Sequence, residues 1–132
     1  MTLAVTSFLR RTLTVDAAIS GATGVLLLVS AGMLAQLLDV PEALLRYSGV
    51  VLVPFAIYVG LIARRRTVPR ASVVAIIALN IAWVAGSVWV ALGGAIRPSP
   101  LGYAFIIAQA VAVAVFAKLQ YVGLRKGSTS PA

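Results

Sequence analysis

The stretch ASVVAIIALNIAWVAGSVWVALGGA, residues 71–95, contains no charged side chain and decides the fold class. A helix rises about 1.5 Å per residue and the hydrocarbon core of a bilayer is about 30 Å thick, so about 20 apolar residues cross it. Residues 17–38, 43–63 and 101–124 form three further stretches of this kind. The sequence therefore predicts an all-α membrane protein with four transmembrane helices in a single domain, residues 1–126.

Composition supports the membrane assignment and argues against catalysis. Of the 132 residues, 61% are hydrophobic and 11% are charged, whereas soluble domains have about 45–50% and about 25%. The chain has no cysteine and no histidine, which excludes thiol catalysis, His-ligated haem and ordinary zinc sites. Its three acidic side chains are too scattered for a hard-metal site. We therefore expect no enzyme activity, no catalytic residue, no metal and no cofactor.

The basic residues predict the orientation of the four helices. Short loops of a membrane protein carry more Lys and Arg on the cytoplasmic side. Arg46 and Arg97 fall on one side of the four-span arrangement, and eight basic residues fall on the other: Arg10, Arg11, Arg64, Arg65, Arg66, Arg70, Arg125 and Lys126. This asymmetry predicts an up-down-up-down bundle with both termini cytoplasmic, in a cell membrane of the bacterial inner-membrane type.

The same asymmetry accounts for the net charge of +8. Basic groups at the membrane surface attract anionic lipid headgroups, by about 1 kcal/mol per charge. We expect such lipids at Arg64, Arg65, Arg66 and Arg70, and we expect no binding of nucleic acid. Residues 1–11 do not resemble a signal peptide, because the apolar stretch that follows is longer than a typical h-region of about 7–15 residues. The first helix is therefore expected to be retained.

Local signals predict how the helices begin and end. Asp39-Val40-Pro41-Glu42 has the pattern of a capping box that starts the second helix. Gly93-Gly94 ends the third helix, and Ser99-Pro100 predicts a cap followed by Pro at the first position of the fourth. The polar residues 127–132 predict a disordered tail.

Small residues spaced by four predict the packing seams, because close backbone approach joins membrane helices. Gly21 and Gly24 lie on such a seam of the first helix, and the third helix carries Gly86 on a similar one. A weak internal repeat is also conceivable, since Arg10-Arg11-Thr12-Leu13 and Arg65-Arg66-Thr67-Val68 each open a hairpin. The simpler interpretation is that any four-helix membrane protein with both termini on one side carries basic residues where its hairpins begin and end.

Polar residues within the spans define the first candidate site. Asn80 lies about nine residues from the start of the third apolar stretch, and Gln109 lies about eight residues from the start of the fourth. We therefore expect them at similar depth and hydrogen-bonded to each other, with Ser87 two turns from Asn80 and Trp83 beside it. The group is interpreted as a structural clamp, or alternatively as a site for a lipid or quinone-like ligand.

Asp16 and Lys118 define the second candidate site. Asp16 lies about one turn inside Arg11, near the inner interface of the first span, and Lys118 lies near the same level of the fourth helix. The economical interpretation is an ion pair. The alternative is a carboxylate that couples proton movement to a substrate, as in the small multidrug exporters. The chain resembles those proteins in size and helix count, and they often carry an acidic residue in the first helix.

The sequence as a whole favours a small non-enzymatic membrane protein that serves as an accessory or scaffold subunit of a larger membrane system. The motivation is the short loops together with the missing catalytic side chains. The alternatives are a homo-oligomeric, proton-coupled transporter that uses Asp16, or a binder of an apolar ligand near Asn80, Trp83, Ser87 and Gln109. Assembly as a homo-oligomer is compatible with each of these.

Overall fold

The computed structural model describes residues 2–128, with side chains up to residue 126. Four of its helices are long and apolar enough to cross a membrane, which confirms the predicted number of spans. A short fifth helix and a two-stranded ribbon accompany them. In chain order the elements are β1 (Thr2–Ala4), α1 (Ser7–Val29), α2 (Ala31–Leu38), α3 (Glu42–Arg64), β2 (Thr67–Pro69), α4 (Arg70–Leu92) and α5 (Pro100–Ser128).

The first span differs from the predicted residues 17–38 at both ends. Helix α1 begins at Ser7, ten residues earlier, and it ends before Ser30, where φ is −115° and ψ is 21°. The Arg10 guanidinium donates hydrogen bonds to the carbonyl oxygens of Ala63 and Arg65, at 2.9 and 3.0 Å. Arginine is thus tolerated inside α1 because it satisfies carbonyls at the end of α3, where the helix dipole also favours a cation.

Helices α1 and α3 pack through glycines, as the small-residue pattern of the first helix predicts. A Cβ added at Gly49 would lie 2.8 Å from the carbonyl oxygen of Gly24, and one at Gly24 would lie 3.0 Å from the Cβ of Leu52. Gly21 faces Ala56, at 3.4 Å for its added Cβ. Such contacts bring the two backbones close together, which strengthens dispersion contacts that lipid cannot replace.

The ribbon gathers the basic residues at one end of the bundle, which we call the basic end. Strands β1 and β2 pair antiparallel, with Leu3 opposite Val68, and both of these side chains are 1% exposed. They cover a core that includes Leu9 of α1, and Gly123 of α5 lies against Leu9. The start of α1, the end of α3, the start of α4 and the end of α5 therefore meet here. The ribbon has no counterpart in the sequence-based prediction.

The opposite end is organised by the end of α2, and the predicted capping box there is wrong. Asp39 terminates α2 in the left-handed conformation, with φ 53° and ψ 49°. Pro41 precedes α3 without a side-chain cap, and the carboxylate of Glu42 pairs instead with Arg46 at 3.1 Å. The reason is that residues 31–38 form a separate helix, so Asp39 completes one helix rather than starting the next.

The cap predicted at Ser99 is confirmed and does more than begin a helix. Its hydroxyl accepts a hydrogen bond of 3.1 Å from the Gly102 backbone N–H. The hydroxyl and the backbone N–H of Ser99 donate to the carbonyl oxygens of Leu37 and Leu38, each at 2.9 Å. An added Cβ at Gly102 would overlap the Leu38 oxygen. The start of α5 is therefore fixed to the end of α2.

Two smaller predictions also meet the structure. Helix α4 ends at Gly93-Gly94 as expected, with Gly94 at φ 78°. The two segments of the conceivable repeat adopt different structures, since Arg10-Arg11-Thr12-Leu13 lies within α1 whereas Thr67-Val68 belongs to β2. Of the predicted disordered tail, residues 127 and 128 belong to α5, and residues 129–132 lie outside the described part of the chain.

Candidate functional site

A fully buried carboxylate lies where α1, α4 and α5 meet. Asp16 Oδ1 accepts a hydrogen bond of 2.9 Å from the Ser20 hydroxyl. Its Oδ2 accepts from Asn80 Nδ2 at 3.0 Å and from Gln120 Nε2 at 2.7 Å. Asn80 Nδ2 also donates to Gln120 Oε1 at 2.9 Å. We call Asp16, Ser20, Asn80 and Gln120 the polar core.

Helix periodicity explains why these four side chains converge. Asp16 and Ser20 are four residues apart and share one face of α1, which allows the hydroxyl to reach the carboxylate. Asn80 follows Ile76 and Ile77 on the buried face of α4, and Gln120 follows Ala117 on that of α5. Exposure of the four polar residues is 7% or less. The carboxylate therefore depends on protein donors rather than on solvent.

Neutral donors surround Asp16, so the predicted ion pair with Lys118 is wrong. Among residues 2–126, Asp16 forms hydrogen bonds with one hydroxyl and two amides and forms no ion pair with Lys or Arg. Lys118 is two residues from Gln120, which turns it by about 200° around α5. It lies on the exposed surface of α5 instead. Burial of a carboxylate is costly unless hydrogen bonds compensate it, and here three donors do so.

Asp16 lies further from the start of its helix than the sequence predicted. Asp16 is nine residues from the start of α1 at Ser7, which corresponds to about 13 Å along the helix. Asn80 is ten residues from the start of α4 at Arg70, or about 15 Å. The hydrogen bond between the two residues places Asp16 level with Asn80, which lies nine residues into the uncharged stretch 71–95.

A second polar cluster joins α4 and α5 further from the basic end. Trp83 Nε1 donates to Gln109 Oε1 at 2.6 Å. Gln109 Nε2 donates to the Ser87 hydroxyl at 2.9 Å and to the Ile106 carbonyl at 2.7 Å, and Ser87 donates to the Trp83 carbonyl at 2.8 Å. We call Trp83, Ser87 and Gln109 the tryptophan cluster. Its three members are half-buried.

The predicted hydrogen bond between Asn80 and Gln109 is wrong, although both residues were correctly placed among polar contacts. The depth of Asn80 was counted from the basic end of α4, whereas that of Gln109 was counted from the opposite end of α5. Each helix is longer than the two counted distances together, so the two residues do not reach the same level. Asn80 therefore lies level with Gln120, and Gln109 lies level with Trp83 and Ser87, one to two turns further along α4. The two amides belong to separate clusters.

Gln120 is the residue that sequence analysis missed. It lies near the end of the fourth apolar stretch, but α5 continues to Ser128, and Gln120 is fully buried in the bundle. A signal was present, since Gln109 and Gln120 are eleven residues apart. Eleven residues make about three full turns, so the two amides share one face of α5 and both point towards α4.

The geometry limits what this region can do chemically. The polar core presents a carboxylate, a hydroxyl and two amides to one another, and Asp16 and Gln120 have no exposed surface. A group at this depth can hold helices in register, or it can exchange a proton if water reaches it. No protein-family model, curated protein sequence or solved structure matches the chain.

Proposed function

We propose that the chain is a non-enzymatic integral membrane protein that serves as an accessory or scaffold subunit of a larger membrane system. The supporting observation is that, among residues 2–126, no buried side-chain nitrogen or oxygen lacks a hydrogen-bond partner. A closed polar interior fits a structural role. It holds the helices in one arrangement while the outer surface meets lipid or a partner.

The outer surface supports this proposal. Large apolar side chains are exposed on the spanning helices, including Val50 on α3, Ile81 on α4 and Val111 on α5, with exposed fractions of 57–58%. A surface of this kind suits contact with lipid tails and equally suits contact with other membrane helices. The polar core then gives the surface a fixed shape, since it ties the first and last spans together.

Photocrosslinking of intact cells tests the scaffold proposal. A photoreactive amino acid replaces Val50, Ile81 or Val111 in separate variants, and Ile76, which is fully buried, provides the control position. We expect adducts with one recurrent membrane protein from at least one exposed position and none from Ile76. Co-purification of that protein at fixed stoichiometry would support the proposal. Adducts only between copies of this chain would contradict it.

We further propose that the basic end is cytoplasmic, with both termini on that side. The absence of cysteine from the chain allows single-cysteine labelling without background. Arg64→Cys lies at the basic end and Arg97→Cys at the opposite end, and both positions are exposed. An impermeant maleimide should label Arg97→Cys in intact cells, and Arg64→Cys only after permeabilisation. The reverse pattern would invert the orientation.

Proton-coupled transport by a homo-oligomer is the second candidate, and the depth of Asp16 favours it. The sequence had placed this carboxylate near the interface, whereas nine residues of α1 separate it from Ser7 at the start of that helix. Two of its three donors come from α4 and α5, so a change in its protonation alters contacts between spans. Reconstituted vesicles with a pH-sensitive dye test this candidate. Substrate-dependent proton flux that Asp16→Asn abolishes would favour transport over a scaffold.

A further inference from the structure

Lys118 is a cation on the outer surface of a membrane span. It lies seven residues before Arg125 at the basic end, or about 10 Å along the helix axis. Its side chain is exposed, in contrast to the neighbouring Ala117 and Gln120, which are buried. A charge at this depth is costly unless it reaches the interface or meets an opposite charge. An anion near Lys118, at the headgroup level, would offset this cost.

The acidic side chains of the chain do not supply that anion. There are three of them. Asp16 is fully buried and engaged by Ser20, Asn80 and Gln120, while Asp39 and Glu42 lie at the end opposite the basic end. Among residues 2–126, Lys118 forms no ion pair. A counter-charge from another molecule would meet this need.

The surface beside Lys118 has the shape and polarity to hold an acyl chain. An open groove of about 450 Å³ lies between α4 and α5, and among the described residues of its wall Lys118 is the only charged one. Ala114 and Ala117 contribute from α5, and Ile81 and Val84 contribute from α4. The alanines leave space between the helices, and the larger side chains form an apolar wall. Apolar surface of this kind favours a hydrocarbon chain.

The polar groups occupy one end of the groove. Lys118 and Tyr121 lie nearer the basic end than Ala114 does, because α5 runs towards that end. Tyr121 and Arg125 follow Lys118 at spacings of three and seven, which places all three on one face. The Arg125 guanidinium lies 5.9 Å from the centre of the Tyr121 ring. A headgroup at Lys118 would therefore have its acyl chain directed towards the bilayer middle, as in a lipid of the leaflet at the basic end.

We propose that this groove is a binding site for an anionic phospholipid of that leaflet. The phosphate pairs with Lys118 and receives a hydrogen bond from the Tyr121 hydroxyl, while one acyl chain lies along Ala114, Ala117, Ile81 and Val84. The site is distinct from the arginines at residues 64–66 and 70, where lipid contact rests on charge at the membrane surface alone. It is also independent of the scaffold and transport proposals.

Native mass spectrometry of the purified chain tests the site. The protein in a non-ionic detergent is titrated with phosphatidylglycerol and, separately, with phosphatidylcholine of the same acyl chains. We expect tighter binding of phosphatidylglycerol. Lys118→Gln should weaken it about fivefold, which corresponds to about 1 kcal/mol for one cation near a headgroup, whereas Lys118→Arg should retain it. Equal binding of both lipids by the unaltered protein would overturn the proposal.

Two further variants separate the groove from the surface charge. Arg64→Gln removes one exposed cation of the basic end outside the groove and should leave the tightest phosphatidylglycerol site in place. Ala114→Val narrows the groove but keeps Lys118, and it should weaken binding of the long-chain lipid more than that of a short-chain one. If Arg64→Gln weakens binding as much as Lys118→Gln, the lipid is held by general surface charge and the groove is not a site. A shift to dimers or a loss of dimers in Lys118→Gln, without a change in lipid binding, would assign the groove to a second copy instead.

Discussion

The amide of Gln120 donates a hydrogen bond of 2.7 Å to the carboxylate of Asp16, across 104 positions of the sequence. Both side chains have no exposed surface. The contact closes the bundle, because it joins the first spanning helix to the last. Since a buried acceptor that loses its donor keeps the desolvation cost, of about 1–3 kcal/mol, the bond has a measurable effect on stability.

Gln120→Leu should lower the free energy of unfolding by about 1–2 kcal/mol, because it leaves Asp16 and Asn80 with fewer partners. Reversible unfolding of the detergent-solubilised protein in a denaturing detergent measures this. Gln36→Leu is the matched control, since Gln36 is an exposed glutamine on α2, and it should change stability by less than about 0.5 kcal/mol. Equal losses in the two variants would argue against a stabilising polar core.

Double-mutant cycles should separate the two polar clusters. Asp16→Asn and Gln120→Leu should be non-additive by about 0.5–2 kcal/mol, because the two residues share a hydrogen bond. Asn80→Leu and Gln109→Leu should be additive within about 0.5 kcal/mol, because they share no partner. The same unfolding assay serves both cycles. Strong coupling between Asn80 and Gln109 would contradict the separation of the clusters.

Trp83→Phe should destabilise the protein by about 1 kcal/mol, the order of magnitude of one hydrogen bond between membrane helices. The substitution removes the indole N–H that donates to Gln109. In this background, Gln109→Leu should cost less than it does alone. Trp89→Phe is the control, because Trp89 is 74% exposed. Thermal unfolding followed by circular dichroism provides the measurement, and a Trp89→Phe variant that loses as much stability as Trp83→Phe would count against the hydrogen bond.

Gly49→Ala should destabilise the protein by about 1–3 kcal/mol, because it overpacks the contact between α1 and α3. The added Cβ would lie 2.8 Å from both the Gly24 oxygen and the Leu28 Cγ, so the two backbones would have to separate. The packing seam predicted at Gly86 is wrong, since nothing lies within 4 Å of its added Cβ. Gly86→Ala on α4 is therefore the matched control. It should change stability by less than about 1 kcal/mol, in the favourable direction expected for Ala in a helix. Similar losses in both variants would mean that the α1–α3 contact is looser than described.

The parts of the fold that follow from hydropathy could be predicted from the sequence. The number of spans depends on long runs without charges, and the cap at Ser99 depends on local backbone chemistry. The start of α1 could not be predicted this way. In the sequence, Arg10 and Arg11 indicate the end of a membrane segment. In the structure, Arg10 lies within α1 because it donates hydrogen bonds to the carbonyl oxygens of Ala63 and Arg65, which are distant in sequence.

The sequence indicated most of the polar residues that form the two clusters, but it did not indicate which of them form hydrogen bonds with each other. Asp16, Asn80, Trp83, Ser87 and Gln109 are conspicuous because polar groups in hydrocarbon need partners. Their partners depend on the vertical register of the helices, and an error of about three turns in that register exchanges Gln109 for Gln120. The side of a helix on which a residue lies is equally hard to predict. Lys118 and Gln120 are two residues apart on α5, yet the amine is exposed and the amide is buried.

The ribbon between β1 and β2 imposes an order on the assembly of the chain during synthesis. Strand β1 leaves the ribosome before α1, yet its hydrogen-bonding partner β2 emerges only after α1, α2 and α3 have been made. Leu3 therefore lacks its partner Val68 until these three helices have been made. When Leu3 pairs with Val68, strand β1 at the start of the first hairpin is joined to strand β2, which directly precedes α4.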